Sequence, residues 1–453
     1  MEPAKPAKTK PAPTTYQRRT LVSTTPAASS ARRPSAPAAG ILNRPPAHLL
    51  LASYDFGGER SPSATRSTLE RLRILVHHEL RSDLDELTAS SPKELPPAET
   101  GELGFIDGHD RAHLTITLGV AKSGFDALGV ASVDQPQDLI LMPWPQLGDA
   151  PAVAANGDLV LQICSDNTYI NEHVVRRIAE ELGDSLRLAW AVTGEQRYTT
   201  RAGRTAREEG RALIGFLDGT DNLHPRKQPA DAQLVFVDPD RTTSYPALPV
   251  SGPSGPYGPV GPVFPADLRS PPAREPEWTR GGTYMVARAS VNDLSTWDRQ
   301  TLGTQEQIVG RFKVSGAALD LNDDEQLQRD EPYFAQHQDD RRVALNSHIR
   351  KANPRRVPED EMRRIFRRGY SLISAQPATG LLGGLVFICF GRTISTQFEF
   401  ITRAWTNNPD FPEPGTGVDA IRPFDATVLA GGYFFVPAVA RASQPWTWVL
   451  PLE

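Results

Sequence analysis

The chain has 453 residues, enough for two domains of ordinary size that each bury a core. Hydrophobic residues make up 39% and charged residues 23%, a balance typical of globular proteins, and no apolar run is long enough to cross a bilayer. The net charge is only −5 and basic residues are mixed with acidic ones, which argues against a nucleic-acid partner. Because Cys164 and Cys389 both lie inside apolar runs, we expect buried thiols and neither a disulfide framework nor a thiolate zinc site.

The first 40 residues are rich in Pro, Ala, Ser, Thr, Lys and Arg and nearly lack large apolar side chains. This composition predicts a disordered tail. Arg18-Arg19 has the form of a twin-arginine export signal, but residues 23–30 are not the apolar stretch that such a signal requires. We therefore predict a cytoplasmic protein and keep export as the alternative.

The first half of the remaining chain, residues 41–205, alternates strand and helix patterns. The predicted elements are strands at residues 48–56, 112–118, 158–164 and 185–192 and helices at residues 67–76 and 168–182. Ser67 and Glu70 are spaced as a capping box for the first helix. The alternation within residues 112–118 predicts a strand with one polar face.

The second half, residues 206–453, shows a similar alternation. The predicted elements are strands at residues 283–288, 384–391 and 432–436 and a helix at residues 394–406. A β-α-β-β-α-β order in each half fits an α+β fold of two ferredoxin-like domains, with antiparallel sheets and peripheral helices. Residues 245–276 are dense in Pro and Gly and predict a long irregular excursion, either a surface loop or a segment that shapes a site or an oligomer contact.

Three segments carry residues suited to chemistry. Residues 215–222 read Gly-Phe-Leu-Asp-Gly-Thr-Asp-Asn and set Asp218 among glycines and turn formers, where the backbone can hold its carboxylate or where it can mark an ordinary turn. Residues 346–355 read Asn-Ser-His-Ile-Arg-Lys-Ala-Asn-Pro-Arg, and residues 367–371 read Arg-Arg-Gly-Tyr-Ser.

In this order and spacing, the three segments resemble the motifs of the dye-decolourising peroxidases, which have a GxxDG segment, a histidine before Asn-Pro-Arg, and Arg-Arg-Gly-Tyr. The resemblance covers nearly the whole chain from about Gly40 and is strongest to the bacterial branch that often carries a twin-arginine signal. It implies one haem b per chain, bound in the C-terminal half. It also implies a peroxidase that uses hydrogen peroxide to oxidise dyes, phenolic compounds or other small reductants through a ferryl intermediate.

The resemblance assigns roles to individual residues. His348 would be the proximal ligand of the haem iron, a role that suits a neutral imidazole. Asp218 would take a proton from peroxide while Arg367 stabilises the charge on the departing oxygen. Because a carboxylate still accepts protons at a pH where histidine is protonated, we predict an acidic optimum. Asp419 is a candidate partner for the second nitrogen of the histidine.

Other residues are expected around the haem and its propionates. They are Gly219, Thr220, Asp221, Arg350, Asn353, Pro354, Arg355 and Arg367. Guanidinium groups suit carboxylates, although a solvated surface turn is the alternative for this set. Trp278, Trp297, Tyr370 and Tyr433 could carry electrons from bulky substrates, but we expect most of them in the core or at its rim.

Two further functions remain open at this level. The chain could release iron from haem, as proposed for some exported members of the same family. It could also bind haem without catalysis. We expect peroxide and small reductants as partners, no nucleic acid and no membrane span, and a homo-oligomer is possible.

Overall fold

The structure is a computed structural model of the chain. It describes residues 38–58, 61–80, 113–142, 154–196, 210–240, 274–327, 330–376 and 380–438. The predicted disordered tail lies almost entirely outside the described residues, as does the Pro/Gly-rich excursion at residues 245–276. In the described part of the chain, no helix is both long and apolar enough to cross a membrane.

Ten strands of the described residues form the central sheet. They are β1 (His48–Phe56), β2 (Thr115–Val120), β3 (Ala154–Ala155), β4 (Leu159–Ser165), β5 (Leu186–Glu195), β6 (Thr283–Asn292), β7 (Phe366–Arg367), β8 (Tyr370–Gln376), β9 (Gly380–Gly391) and β10 (Asp425–Val436). The helices are α1 (Ala39–Leu42), α2 (Pro62–Leu80), α3 (Lys122–Ala127), α4 (Thr168–Leu182), α5 (Pro229–Val235), α6 (Leu294–Asp298), α7 (Leu302–Val309), α8 (His348–Ala352) and α9 (Pro358–Glu361). Two π-helical segments follow β9, at Ile394–Glu399 and Ile401–Thr406.

Strand pairing joins the two halves of the chain. The order is β2-β4-β1-β5-β8-β9-β6-β10-β3, β7 pairs with β9 beside this path, and β10 also pairs with β2. The first junction pairs Gly194 of β5 with Leu372 of β8, and the second pairs Phe435 of β10 with Val120 of β2. Apart from the short parallel contact of β10 with β3, the pairs are antiparallel, and the α+β class predicted from the sequence is confirmed. The division into domains at residue 205 stays a prediction.

Both faces of the sheet are largely buried, except along β5, where several side chains are exposed. One apolar cluster packs residues of both halves together, such as Leu51 and Trp190 with Met285 and Phe434. The other cluster lies on the opposite face, against α2 and α4 in the first half and against Ile394 and Phe398 in the second. Such two-sided burial explains why the strands read as continuous apolar runs.

Two details of the first half differ from the prediction. Helix α2 begins at Pro62, and the Ser61 hydroxyl accepts a hydrogen bond from the Ala64 amide at 3.3 Å, so Ser67 lies inside the helix and forms no capping box. Proline is well suited to the first helical position because its nitrogen needs no partner there. The polar face predicted for strand β2 is not a solvent-exposed one, since its Thr115 and Thr117 are buried between neighbouring strands and α1.

The helix predicted at residues 394–406 is present, but it is wound as two π-helical segments. The Asp138 carboxylate accepts hydrogen bonds from the first two amides, of Ile394 at 2.6 Å and Ser395 at 2.9 Å. A carboxylate at this end satisfies amides that have no partner within the helix. This contact ties residue 138 of the first half to the second half.

Candidate active site

The turn that contains Asp218 is defined by its backbone hydrogen bonds and backbone angles. A β-bridge joins Arg211 to Leu217, and the Asp218 amide donates to the Gly210 carbonyl at 2.8 Å. Gly219 has φ of 85° and Asp221 has φ of 54°, both in the left-handed region that glycine and, less readily, Asp adopt. The result is a tight turn that presents the half-buried Asp218 side chain.

The Asp218 carboxylate lies against the backbone of Gly369. A Cβ placed on Gly369 would stand 2.8 Å from Asp218 Oδ2, closer than two such atoms tolerate. Gly369 therefore leaves the space in which the carboxylate sits, and the glycine of the Arg-Arg-Gly-Tyr segment has a steric purpose. Only the absence of a side chain permits this approach.

Arg367, on β7, is hydrogen-bonded to the same turn. Its guanidinium donates to the Thr220 carbonyl at 2.8 Å. Asn222 accepts from the Arg367 amide at 3.0 Å and donates to the Arg367 carbonyl at 2.7 Å. Both Asp218 and Arg367 are described, and their charged groups lie farther apart than the 4.0 Å of a direct ion pair. Asp218 and Arg367 are thus both held at one turn without forming a direct ion pair.

Asp221 is the centre of a cluster of arginines. Its carboxylate is bonded to Arg355, and to Arg364 at 3.0 Å. Burial acts to raise the pKa of Asp221, but Arg355, Arg364, Arg311 and Arg367 outweigh it and hold the pKa below its usual value. Burial and the neighbouring guanidinium groups lower the pKa of Arg311 to about 10. Two of these arginines also have a second acidic neighbour, since Glu361 lies 3.2 Å from Arg364 and Asp320 acts on Arg311.

The Asn-Pro-Arg segment shapes the position of Arg355. The Arg355 guanidinium donates a hydrogen bond to the Asn353 carbonyl at 2.8 Å, and the Arg355 backbone has φ of 52°. The side-chain amide of Gln338 donates hydrogen bonds to the Pro354 carbonyl at 3.1 Å and to the Arg355 carbonyl at 3.2 Å. These contacts fix the arginine that reaches Asp221, and so join the second sequence segment to the first.

His348 is the first residue of α8 and is oriented by a carboxylate. Its Nδ1 lies 2.8 Å from Asp419 Oδ2. The Asp419 side chain is 3% exposed and the His348 side chain 36% exposed, so the acceptor is buried while the imidazole remains accessible. The Asp419 backbone is itself held by the Thr406 carbonyl at 2.8 Å. With Nδ1 directed to the carboxylate, Nε2 is the nitrogen left for a ligand.

Arg350 does not join this constellation. It is 1% exposed, and its guanidinium donates to the carbonyls of Asp340 at 2.6 Å, Val343 at 3.0 Å and Gln338 at 2.6 Å. Its guanidinium also lies over the Phe334 ring at 4.9 Å. These contacts give Arg350 a structural role in the loop that precedes α8, and we leave it out of the proposed cofactor contacts.

Three residues of the site were missed by reasoning from the sequence. Arg364 and Arg311 approach Asp221 from separate parts of the chain, and Asn222 is hydrogen-bonded to the Arg367 backbone. Asn222 could have been found, because it ends the Gly-Phe-Leu-Asp-Gly-Thr-Asp-Asn segment. The sequence around Arg311 and Arg364 carries no comparable signal.

The predicted electron-carrying aromatics lie in the core or at its rim. Trp297, Tyr370 and Tyr433 are at most 1% exposed, and Trp278 is half-buried. The two cysteines, Cys164 and Cys389, are buried free thiols as expected.

Comparison with known proteins identifies the family. The model "Dyp-type peroxidase, N-terminal" matches residues 69–196, and "Dyp-type peroxidase, C-terminal" matches residues 266–441. The chain belongs to the Dyp-type peroxidase family, and the family and the peroxidase class predicted from the sequence are confirmed.

Individual proteins and solved structures are similar to the chain over most of its length. The chain is similar to a deferrochelatase of Escherichia coli (strain K12), with 29% identity over 414 residues, 90% of this chain and 84% of that protein. A DyP-type peroxidase structure from Cellulomonas bogoriensis aligns with a TM-score of 0.62 and 24% identity over 88% of this chain and 92% of that one. Ferric DtpA from Streptomyces lividans aligns with a TM-score of 0.66 and 21% identity over 93% of this chain and 98% of that one.

Proposed function

We propose that this peroxidase uses His348 as the haem ligand and Asp218 with Arg367 as the groups that act on hydrogen peroxide. The observation that carries the proposal is the meeting of the three sequence segments at one turn. Residues 218–222 contact Arg367 on one side and Arg355 on the other, and Arg355 follows the helix that begins with His348. Segments far apart in the chain are thereby joined by direct hydrogen bonds.

The residues present fit a haem. A buried carboxylate orients the imidazole of His348 and leaves Nε2 available, as expected for a histidine that ligates iron. A Cβ placed on Gly219 would meet no atom of the described residues within 4 Å, so there is open space beside the turn. The arginines around Asp221 provide cations for the two haem propionates.

We assign the propionate contacts to Arg355 and to the backbone of the turn, Gly219, Thr220 and Asp221. Arg364 joins them as an addition from the structure, because it shares the Asp221 carboxylate with Arg355. Asn353 and Pro354 hold Arg355 in position through their backbone carbonyls. A guanidinium that already bonds one carboxylate has further N–H donors for a second.

When bound, haem would supply the iron at which peroxide is reduced. The residues of the chain then have separate tasks. Asp218 accepts a proton from one peroxide oxygen and returns it to the departing oxygen. Arg367, held by the Thr220 carbonyl, presents its remaining N–H groups to the charge that develops on that oxygen. The His348–Asp419 hydrogen bond keeps the imidazole in one orientation.

The experiment that tests the proposal compares the haem spectrum of the purified protein with that of His348→Ala. We expect the variant to lose the bound haem or to show an altered iron spectrum, whereas an unchanged spectrum at full occupancy would refute the ligand assignment. The matched control is His337→Ala, because His337 stacks on Tyr333 at 3.9 Å and is exposed. This control should keep the wild-type spectrum.

A second function is favoured by the deferrochelatase relatives, whose name describes removal of iron from haem. The two functions differ in the fate of the haem. Steady turnover of a dye with peroxide, with intact haem recovered afterwards, supports the peroxidase. Release of iron with recovery of the metal-free porphyrin supports the alternative. A protein that only binds haem would show neither reaction.

For partners and location we keep the expectations from the sequence as proposals. Peroxide follows from the family, whereas dyes and phenolic compounds are the reductants that we propose. We also propose a cytoplasmic location, with export as the alternative, because residues 23–30 lack the apolar character of a signal segment. Fractionation of cells that express the chain would distinguish the two locations.

A further inference from the structure

A cavity of about 240 Å³ lies between the start of α4 and the paired ends of β1 and β5. Leu49 and Leu50 of β1 and Ile373 of β8 form its apolar wall, so both halves of the chain contribute to it. None of the residues that we assign to haem or to peroxide lines it. Because a cavity of about 150 Å³ is enough for benzene, this one has room for a single ring with a short substituent.

A buried amide in the wall of this cavity lacks a hydrogen-bond partner. Asn171 is 2% exposed, its Nδ2 donates to the His48 carbonyl at 3.4 Å, and its Oδ1 has no partner among the described residues. His48 Nδ1 is likewise buried without a partner, and a neutral imidazole nitrogen can accept a hydrogen bond. A buried acceptor without a donor costs free energy, which a ligand donor would recover. The cavity therefore favours a ligand that donates hydrogen bonds.

The charged side chains of the cavity are acidic. Glu172 of α4 is exposed, and the half-buried Glu195 of β5 lies directly opposite His48 in the β1–β5 pair. Among the described residues, no lysine or arginine lines the cavity. Two carboxylates beside one space attract a cation and repel an anion. An ammonium group also carries three donors for the acceptors around it.

From these observations we propose that the cavity is a binding site for small organic ammonium ions that carry one apolar ring. The ring lies against the apolar wall, while the ammonium group donates to Asn171 Oδ1 and to the carboxylates of Glu172 and Glu195. The site is separate from that of the haem. The inference goes beyond the proposed peroxidase function and does not depend on it.

The position of the cavity connects it to the Arg-Arg-Gly-Tyr segment. Glu195 pairs with Ser371 of β8, and the side-chain amide of Gln196 donates to the Gly369 carbonyl. Gly369 is the residue against which the Asp218 carboxylate lies. A ligand in the cavity is therefore held beside the strand that follows this segment, without occupying the haem site.

The test is isothermal titration calorimetry of the full-length, haem-loaded protein with benzylammonium chloride as the probe. Benzyl alcohol has the same ring without the charge, and benzoate has the opposite charge. We expect one bound equivalent of benzylammonium, about tenfold weaker binding of benzyl alcohol because a charge-assisted hydrogen bond is lost, and no binding of benzoate. The haem absorbance should stay constant during the titration, because the amine does not reach the iron.

Variants assign the binding to this cavity. Thr193→Trp places a large ring at an exposed position of the lining and should abolish binding, while the exposed Glu172→Gln should weaken it by about threefold. Asn171→Leu removes the buried acceptor and should weaken binding by about tenfold. Glu180→Gln is the matched control with wild-type affinity, because it removes an exposed carboxylate of the same helix outside the cavity.

Absence of benzylammonium binding to the wild type would overturn the proposal, as would equal affinity for benzyl alcohol. Wild-type affinity in Thr193→Trp, or in both Glu172→Gln and Asn171→Leu, would place the ligand elsewhere and also overturn it. A change in haem absorbance that follows the binding curve would place the amine at the iron, with the same consequence. Peroxidase turnover is measured separately with dye and peroxide, so its loss or presence does not decide the inference.

Discussion

At the scale of single residues, the glycine of the Arg-Arg-Gly-Tyr segment is as important as the arginines. We predict that Gly369→Ala lowers peroxidase turnover by roughly a hundredfold, because the new methyl group pushes the Asp218 carboxylate out of place and small misplacements of a catalytic group are costly. Steady-state kinetics with a dye and peroxide measure the effect. Gly303→Ala is the control, since a Cβ there meets no described atom within 4 Å. Equal activity of Gly369→Ala and wild type would contradict the steric argument.

Removing the Asp218 charge tests its role more directly. We predict that Asp218→Asn retains haem and fold but loses between about a hundredfold and ten-thousandfold in the rate of reaction with peroxide, because the amide cannot accept a proton. Stopped-flow absorbance of the haem measures this rate at several pH values. The control is Asp126→Asn, an exposed carboxylate of α3. A rate within a factor of a few of the wild type would exclude Asp218 as the proton acceptor.

Sequence reasoning at this scale depended on motifs. Asp218, His348, Asp419 and Arg367 could each be predicted because each lies in a short segment of distinctive composition. The contact between His348 Nδ1 and Asp419 has the geometry that the prediction requires. Arg350 is different, since its position in the motif suggests the cofactor while its guanidinium bonds three backbone carbonyls. The sequence gives no means to distinguish an arginine that faces a ligand from one that supports a loop.

At the scale of elements, the turn at residues 218–222 depends on charge balance. We predict that Asp221→Asn destabilises the folded protein by about 2 kcal/mol at neutral pH, because Arg355 and Arg364 lose their shared partner. The pKa of Asp221 is lowered in the folded state. Its contribution is therefore present above the unfolded pKa of about 3.9 and is lost as the pH falls through the folded value.

Denaturant unfolding of the wild type and Asp221→Asn as a function of pH checks this linkage. The two free energies of unfolding should begin to approach each other below about pH 4 and should converge once the pH is below the lowered pKa of Asp221. Asp126→Asn serves as the comparison, because Asp126 is an exposed carboxylate of α3 outside the arginine cluster. A difference between wild type and Asp221→Asn that stayed constant down to strongly acidic pH would show that the effect is not electrostatic.

Elements with a clear period were predictable. The strand His48–Phe56 and the helix Thr168–Leu182 have the bounds predicted from the sequence, since each has an apolar pattern with distinct ends. The segment at residues 394–406 was predictable as helical but not as π-helical. Its winding accompanies contacts from distant parts of the chain, such as the Asp138 carboxylate at its first amides, and an apolar period contains no information about such contacts.

At the scale of the whole molecule, the buried Asp138 and the half-buried Glu275 link the halves of the chain. Burial raises the pKa of Glu275 to about 7 and that of Asp138 to about 6. Tyr284 connects them, as its hydroxyl donates to Glu275 and accepts from the Asp138 amide at 2.9 Å. The pKa of both groups is raised in the folded state. Their contribution to the free energy of unfolding is therefore fully present below about pH 4 and is lost as the pH rises through 6 to 7.

We therefore predict that Glu275→Gln flattens the decline in thermal stability between about pH 4.5 and pH 7.5, because the amide cannot ionise. Thermal unfolding followed by circular dichroism across this range provides the measurement. The exposed Glu180→Gln on α4 should keep the wild-type profile. A Glu275→Gln profile parallel to that of the wild type would contradict the raised pKa.

Strand pairing across the boundary at residue 205 has a practical consequence for dissection of the protein. A fragment that starts at residue 206 would keep every proposed haem contact, yet the side of β8 that faces β5 and the side of β10 that faces β2 and β3 would become unpaired edges. Exposed edges recruit strands from other copies and lead to aggregation. Haem binding is therefore a property to be measured on the entire chain, and a failure of the isolated C-terminal half to bind haem would say nothing about the residues that form the site.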